Sequence, residues 1–190
     1  MSLILITGGA RAGKSTFAGN LAADRAGGGP VWFVATAEPL DADMAARIAA
    51  HRAERPAGWV TVEAPRGVAD RIAEAGPPAG VVLIDCLTLL VSNVLLAHPE
   101  PAAVADVWPT VAAEVDGIVR ASRGTAATIV VTNEVGLGVV PATPLGRVYR
   151  DLLGAANQRL AAAADQVFLV VSGIPLQIKS PAADRPGEER

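Results

Sequence analysis

Five short apolar runs constrain what this 190-residue chain can fold into: Leu3 to Thr7, Val31 to Thr36, Val81 to Asp85, Thr128 to Thr132 and Val167 to Ser172. Each is rich in β-branched residues and apolar on both faces rather than alternating. That pattern predicts strands of a parallel sheet covered by helices on both sides. Val60 to Glu63 is a weaker candidate strand. Helical patterning fills the stretches between: Lys14 to Arg25, Asp41 to Arg55, Leu87 to Ala97, Ala102 to Ser122 and Leu145 to Ala164. The last carries Leu145, Tyr149, Leu152, Ala156, Leu160 and Ala163 at three- and four-residue steps, an apolar stripe. Strand and helix in alternation predict three layers joined by right-handed crossovers, with ligands at the carboxyl ends of the strands.

The first strand runs straight into "TGGARAGKS", where Gly8-x4-Gly13-Lys14-Ser15 fits the phosphate-loop pattern without a gap. Glycines let the backbone curl until successive N–H groups face phosphate oxygens, and the helix that follows adds its positive end. Lys14 then reaches the β and γ phosphates, and the Ser15 hydroxyl ligates Mg²⁺. The fold expected is therefore α/β, a three-layer P-loop NTPase-like fold with a mostly parallel central sheet. "GVVLIDC" ends a second apolar strand in Asp85, placed to hold the same metal directly or through water.

Composition narrows the class. A net charge of −3, with no block of like charges, argues against a nucleic-acid partner held through phosphates. Cys86 is the single cysteine, which rules out an internal disulfide and a cysteine-cluster metal site. No apolar run reaches the roughly 18 residues of a membrane span, and no secretory signal opens the chain, so a cytoplasmic protein is expected. Residues 1–179 read as one catalytic domain, and residues 180–190, without an apolar face, as a disordered tail. No DxxG closes a strand and no NKxD occurs, which disfavours a switch GTPase, and the mild acidity disfavours a nucleic-acid motor. A small-molecule kinase or transferase remains.

The segment from Ala35 to Pro56 adds a further group. Asp41 is a candidate N-cap, Asp43 suits the positive end of the helix, and Pro56 stops it. Met44, Ile48, His51 and Arg55 share one helical face, with Arg52 and Arg55 close to His51. Spacing alone leaves two readings: a histidine packed on an amphipathic helix, or a neutral imidazole that attacks phosphorus while arginines stabilise the developing charge. His98, in "AHPEP", reads as a surface residue. Asn133 and Glu134, after the fourth main strand, either bind polar groups of a substrate or order their loop.

"TGGARAGKS", "VATAEPLDADMAARIAAHRAERPAGWVTVE", "LIDCLTLLVSN", "VVTNEVGLGVVP" and "NQRLAAAADQVFLVVSGIPL" follow one another in this order across residues 2–179. Together they closely resemble the bifunctional adenosylcobinamide kinase / adenosylcobinamide-phosphate guanylyltransferases of cobalamin biosynthesis. The resemblance implies phosphorylation of adenosylcobinamide by a nucleoside triphosphate, ATP or GTP. Transfer of GMP from GTP to adenosylcobinamide phosphate then gives adenosylcobinamide-GDP and pyrophosphate. It further implies that His51 is the guanylylated nucleophile. The nucleotide contacts it implies are Gly8, Gly9, Ala10, Arg11, Ala12, Gly13, Lys14 and Ser15 in the loop, then Ala35, Thr36 and Ala37, Arg52, Ala53, Glu54 and Arg55, Glu63, and Asp85. Lys14 and His51 are the catalytic pair, Ser15 and Asp85 the Mg²⁺ ligands, and the expected assembly is a homotrimer. The competing readings are a kinase of single activity, with His51 structural, and a nucleotide-binding regulator. Ala12, where the family often has serine, keeps the backbone N–H that a phosphate needs.

Overall fold

Side chains alternate between two cores along the five main apolar runs, which is why these runs read as apolar on both faces. The computed structural model describes residues 1–39, 42–53, 55–76 and 80–181, with the backbone but not the side chains of Asp43, Met44, Arg47 and His51. In chain order the elements are β1 (Leu3–Gly8), α1 (Lys14–Ala26), β2 (Val31–Ala35), α2 (Ala42–Ala53), β3 (Val60–Glu63), α3 (Val68–Ala75) and β4 (Val81–Asp85). They continue with α4 (Leu87–Leu96), α5 (Val104–Ser122), β5 (Ala127–Val131), α6 (Pro144–Ala163), β6 (Gln166–Val171) and β7 (Ile174–Lys179). The strands form one sheet in the order β3-β2-β4-β5-β1-β6-β7. All neighbours pair in parallel except β6 and β7, which are antiparallel.

Ile4 and Ile6 of β1, Phe33 of β2, Leu83 of β4 and Ile129 of β5 pack with Ala18 and Ala22 of α1. Their neighbours Leu3, Leu5, Val34, Ile84 and Val130 turn to the opposite face. There they meet Ile72 of α3, Leu90 of α4, Ile118 of α5, and Leu152 and Leu160 of α6. Burying a side chain of this size contributes about 1.5–3 kcal/mol, so two full cores hold the sheet from both sides. The mostly parallel α/β architecture expected from the sequence is the one found.

Local chemistry sets the ends of the helices. Thr143 Oγ1 accepts the Gly146 N–H at 3.1 Å and Pro144 occupies the first turn, so α6 starts on a capped, preset backbone. Its buried face differs from the predicted stripe. Leu153 and Asn157 are buried, while Leu145 and Ala163 at the two ends are exposed. α3 takes its cap from another helix: Glu114 of α5 accepts the N–H groups of Gly67 and Val68, at 2.5 and 3.2 Å. Asp116 on α5 and Arg159 on α6 form a bidentate pair at 2.7 and 2.8 Å, which lowers the carboxyl's pKa through its hydrogen bonds. That pair is solvent-exposed and fixes register more than it adds stability. The expected tail falls largely on residues outside the described ones, as does the expected cap at Asp41.

Candidate active site

At the carboxyl edge of the sheet, β1 ends in Gly8 and the chain turns through residues 9–13 into α1. Two glycines make that turn possible. Gly8 has φ 149°, and a Cβ there would run into the carbonyl oxygen of Val170 in β6. Gly13, at φ 94°, would bring a Cβ to 3.1 Å from the Cα of Gly173. Arg11 stands exposed at the tip in a left-handed conformation, φ 57°. The neighbouring hairpin holds the loop, since the Gly173 N–H donates to the Ala12 carbonyl at 2.8 Å. From the other side the Glu134 N–H donates to the Gly8 carbonyl at 3.2 Å.

Lys14 is 7% exposed, and its Nζ donates to the Gly9 carbonyl at 2.6 Å. Burial lowers its pKa, while Cys86 and Asp85 oppose that shift. Cys86 is itself neutral near pH 7, because burial pushes its thiol up to about 11, so the opposing charge that counts there is Asp85. The loop carbonyl and the nearby carboxylate thus hold the Lys14 ammonium head at the mouth of the loop.

Two adjoining cavities, each about 310 Å³, open beside Ser15 and share Ser15, Phe33, Arg55 and Asp85. The first runs along α1 past Gly19 and Asn20 and is closed by Pro56 and Trp59. The second reaches over the strand ends to Ala37, Ile48, Thr88, Leu89 and Asn133. Arg55 lines both. Its guanidinium lies 3.6 Å from the Phe33 ring centroid, and Phe33 stacks on Trp59 with centroids 6.4 Å apart. Its Nη1 donates to Thr61 at 3.0 Å, and its buried Nε has no partner among the described residues. Burial lowers the pKa of Arg55, Glu63 raises it, Arg52 lowers it further and Asp85 raises it. A cationic group with an unused buried donor between two cavities suits an anion, because leaving such a donor unpaired costs about 1–3 kcal/mol.

The structure thus brings Ser15, Ala35, Ala37, Arg55 and Asp85 of the predicted residues to one place. Thr36 is fully buried between the strands. Its hydroxyl donates to the Cys86 carbonyl and accepts the Cys86 N–H, both at 2.8 Å, so it ties β2 to the end of β4. Glu63 is exposed at the end of β3, in register with Ala35. Arg52 and Ala53 are exposed in the last turn of α2. Glu54 and the His51 side chain lie outside the described residues. His98, expected at the surface, is half-buried beside Pro99.

Beneath the site lies a polar network that the sequence did not announce. Asn157 of α6 accepts from Thr132 at 2.7 Å and donates to the Asn133 carbonyl at 3.0 Å and to Glu134 at 3.4 Å. Glu134 also accepts from Thr7 of β1 at 2.7 Å. Thr88 of α4 accepts the Asn133 N–H at 2.9 Å, and Tyr149 donates to the Thr88 carbonyl at 3.3 Å. Of the two readings open for Glu134, the geometry matches the one in which it orders its loop. Trp59, Thr88 and Asn157 were missed beforehand because each acts through partners distant in sequence.

The family model for cobinamide kinase / cobinamide phosphate guanyltransferase matches residues 4–178. The chain is 43% identical over 183 residues to the bifunctional adenosylcobalamin biosynthesis protein CobU of Salmonella typhimurium, covering 93% of this chain and 99% of that protein. It is 42% identical to the CobU of Escherichia coli, with the same coverage, and 38% identical over 178 residues to the CobP of Pseudomonas aeruginosa, covering 92% and 96%.

Proposed function

This chain belongs to the cobinamide kinase / cobinamide phosphate guanyltransferase family, and from that premise we propose how its residues divide two reactions. In the first, ATP or GTP phosphorylates the aminopropanol hydroxyl of adenosylcobinamide. In the second, GMP passes from GTP to adenosylcobinamide phosphate, giving adenosylcobinamide-GDP and pyrophosphate. The observation that carries this reading is the meeting of Ser15, Asp85 and Arg55 where two cavities adjoin beside the phosphate loop.

The residues 8–15 cradle the triphosphate, with Lys14 leaving the Gly9 carbonyl for the β and γ oxygens. A hydroxyl from Ser15 and a carboxylate from Asp85 are hard oxygen donors at one cavity wall, a set that fits Mg²⁺ sharing its shell with phosphate and water. Bound there, the ion neutralises charge on phosphate oxygens.

Guanylyl transfer is assigned to His51. It follows Ile48 by three residues and precedes Arg55 by four, and both of those line the second cavity. A ring nitrogen attacks the α-phosphorus, a P–N bond forms, the α–β bridging P–O bond breaks, and pyrophosphate departs with the electron pair. An oxygen of adenosylcobinamide phosphate then attacks the same phosphorus, and the P–N bond breaks to restore the imidazole. Arg52 and Arg55 supply positive charge for both displacements. These substrates place the work where nucleoside triphosphates are made, in the cytoplasm. The proposed assembly is a homotrimer, and an exposed apolar strip on the outer hairpin (Val171, Ile174, Leu176 and Ile178, each at least 50% exposed) is surface available to it.

GTP labelled at the α-phosphate tests the assignment. The expected result is acid-labile, base-stable label on His51, discharged by adenosylcobinamide phosphate into adenosylcobinamide-GDP. Phosphorylation without label would reduce the protein to a kinase, and tight GTP binding without any turnover would make it a regulator.

A further inference from the structure

Asn133 follows β5 and Thr132 at the carboxyl edge, and its backbone is fixed on both sides. Its N–H donates to Thr88 Oγ1 at 2.9 Å and its carbonyl accepts from Asn157 at 3.0 Å. Thr88 and Asn157 are each 7% exposed. Glu134, next in the chain, is held by Thr7, Asn157 and Gly8. The position of residue 133 is therefore set by a buried polar network, of the kind that rigidifies when its members are paired. The side chain is the exception. Its carboxamide makes no hydrogen bond among the described residues, and it lines the second cavity with Ser15 and Asp85. A preorganised backbone carries an unused polar head to the place where phosphates and metal are expected.

We propose that Asn133 is a catalytic residue of the phosphorylation step, its Nδ2 donating to an oxygen of the γ-phosphoryl group as that group transfers; the proposal rests on the kinase reading above. In that step the acceptor hydroxyl oxygen attacks the γ-phosphorus and an O–P bond forms. The bond from phosphorus to the β–γ bridging oxygen breaks, and the nucleoside diphosphate leaves with the electron pair. The hydroxyl proton passes to an oxygen of the transferred group and then to water. Charge spreads over the equatorial oxygens in the transition state, and a donor already fixed in place meets it without reorganisation. An amide suits the position because it is neutral. A carboxylate would repel the phosphate beside Asp85, and an ammonium would pair with Asp85 instead.

Asn133→Ala and Asn133→Asp, assayed in both half-reactions of the full-length protein, test this. Loss of one fixed donor lowers the kinase kcat by about 100-fold in Asn133→Ala, with the nucleotide KM changed far less. Asn133→Asp falls further. Label taken by His51 from α-labelled GTP breaks the α–β bond and declines by less than about tenfold. The thermal midpoint of Asn133→Ala stays near that of the wild type, since the amide has no partner to lose. A kinase rate within about threefold of wild type, or equal losses in both half-reactions, overturns the assignment. A wild-type protein that phosphorylates nothing overturns the kinase reading itself and this assignment with it.

Discussion

α4 and α2 both rise from the carboxyl edge of the sheet, after neighbouring strands, yet they are built in opposite ways. Seven of the ten residues of α4 are buried, including the polar Thr88 and Asn93. Asn93 donates to the carbonyls of Thr36 and Pro65 at 2.7 and 3.0 Å, so the helix stitches two loops of the edge together. In α2 every described residue is exposed or half-buried. Among the described residues one helix is packed into the core, and the other meets the second cavity at Ile48. The lesson is a division of labour. Among the described residues burial is concentrated in α4, and the proposed nucleophile rides on the more exposed helix.

The largest expected effect tests that division from the α2 side. His51→Asn abolishes labelling by GTP, a loss of about 1,000-fold or more, while the kinase rate stays within about tenfold and the thermal midpoint does not move. A destabilised His51→Asn would mean that α2 is scaffold after all. On the buried side, Asn157→Ala removes two donated bonds and leaves the fully buried Thr132 hydroxyl without its 2.7 Å acceptor. It costs about 2–3 kcal/mol in urea unfolding.

A pH titration sharpens the same contrast at the start of α4. Burial raises the Cys86 thiol from its ordinary 9.0 to about 11, so the folded chain keeps a proton that the unfolded chain releases. Stability is therefore fully present below pH 9 and falls as pH rises from about 9 to 11, by about 1.4 kcal/mol per unit. Cys86→Ala flattens that slope. Tyr149, pushed up to about 12 by burial, steepens the decline only above pH 10. The smallest effect is expected from Ala46→Gly on the exposed face of α2, under about 1 kcal/mol. Hydrogen exchange reads this helix directly: amides of residues 42–53 slow when GTP is added if α2 closes over the nucleotide, and exchange that GTP leaves unchanged counts against closure.

What could be read beforehand follows the same line. The strand–loop–helix of residues 3–26 and the strand ending in Asp85 depend on contiguous residues, so their patterns were visible. α3 was not, because its eight residues are too few to establish a period and its cap comes from Glu114. β7 was passed over because Pro175 interrupts the run and the strand is exposed. Its signal was the Ser172–Gly173 turn, both residues at positive φ, which suits a tight hairpin. Within the site, Lys14, Ser15 and Asp85 came from motif logic. The stack of Arg55 on Phe33 and Phe33 on Trp59, and the network through Asn157, arise only when distant segments meet.

The bond from Gly173 to Ala12 has a bearing on how the protein is made. A ribosome releases the cradle's sequence well before that of the hairpin that braces it, and β1 itself sits between β5 and β6. Nascent chains of intermediate length thus carry the complete anion-binding motif without the walls that shape it. The braced form of the cradle therefore arises only once the β6–β7 hairpin has been made.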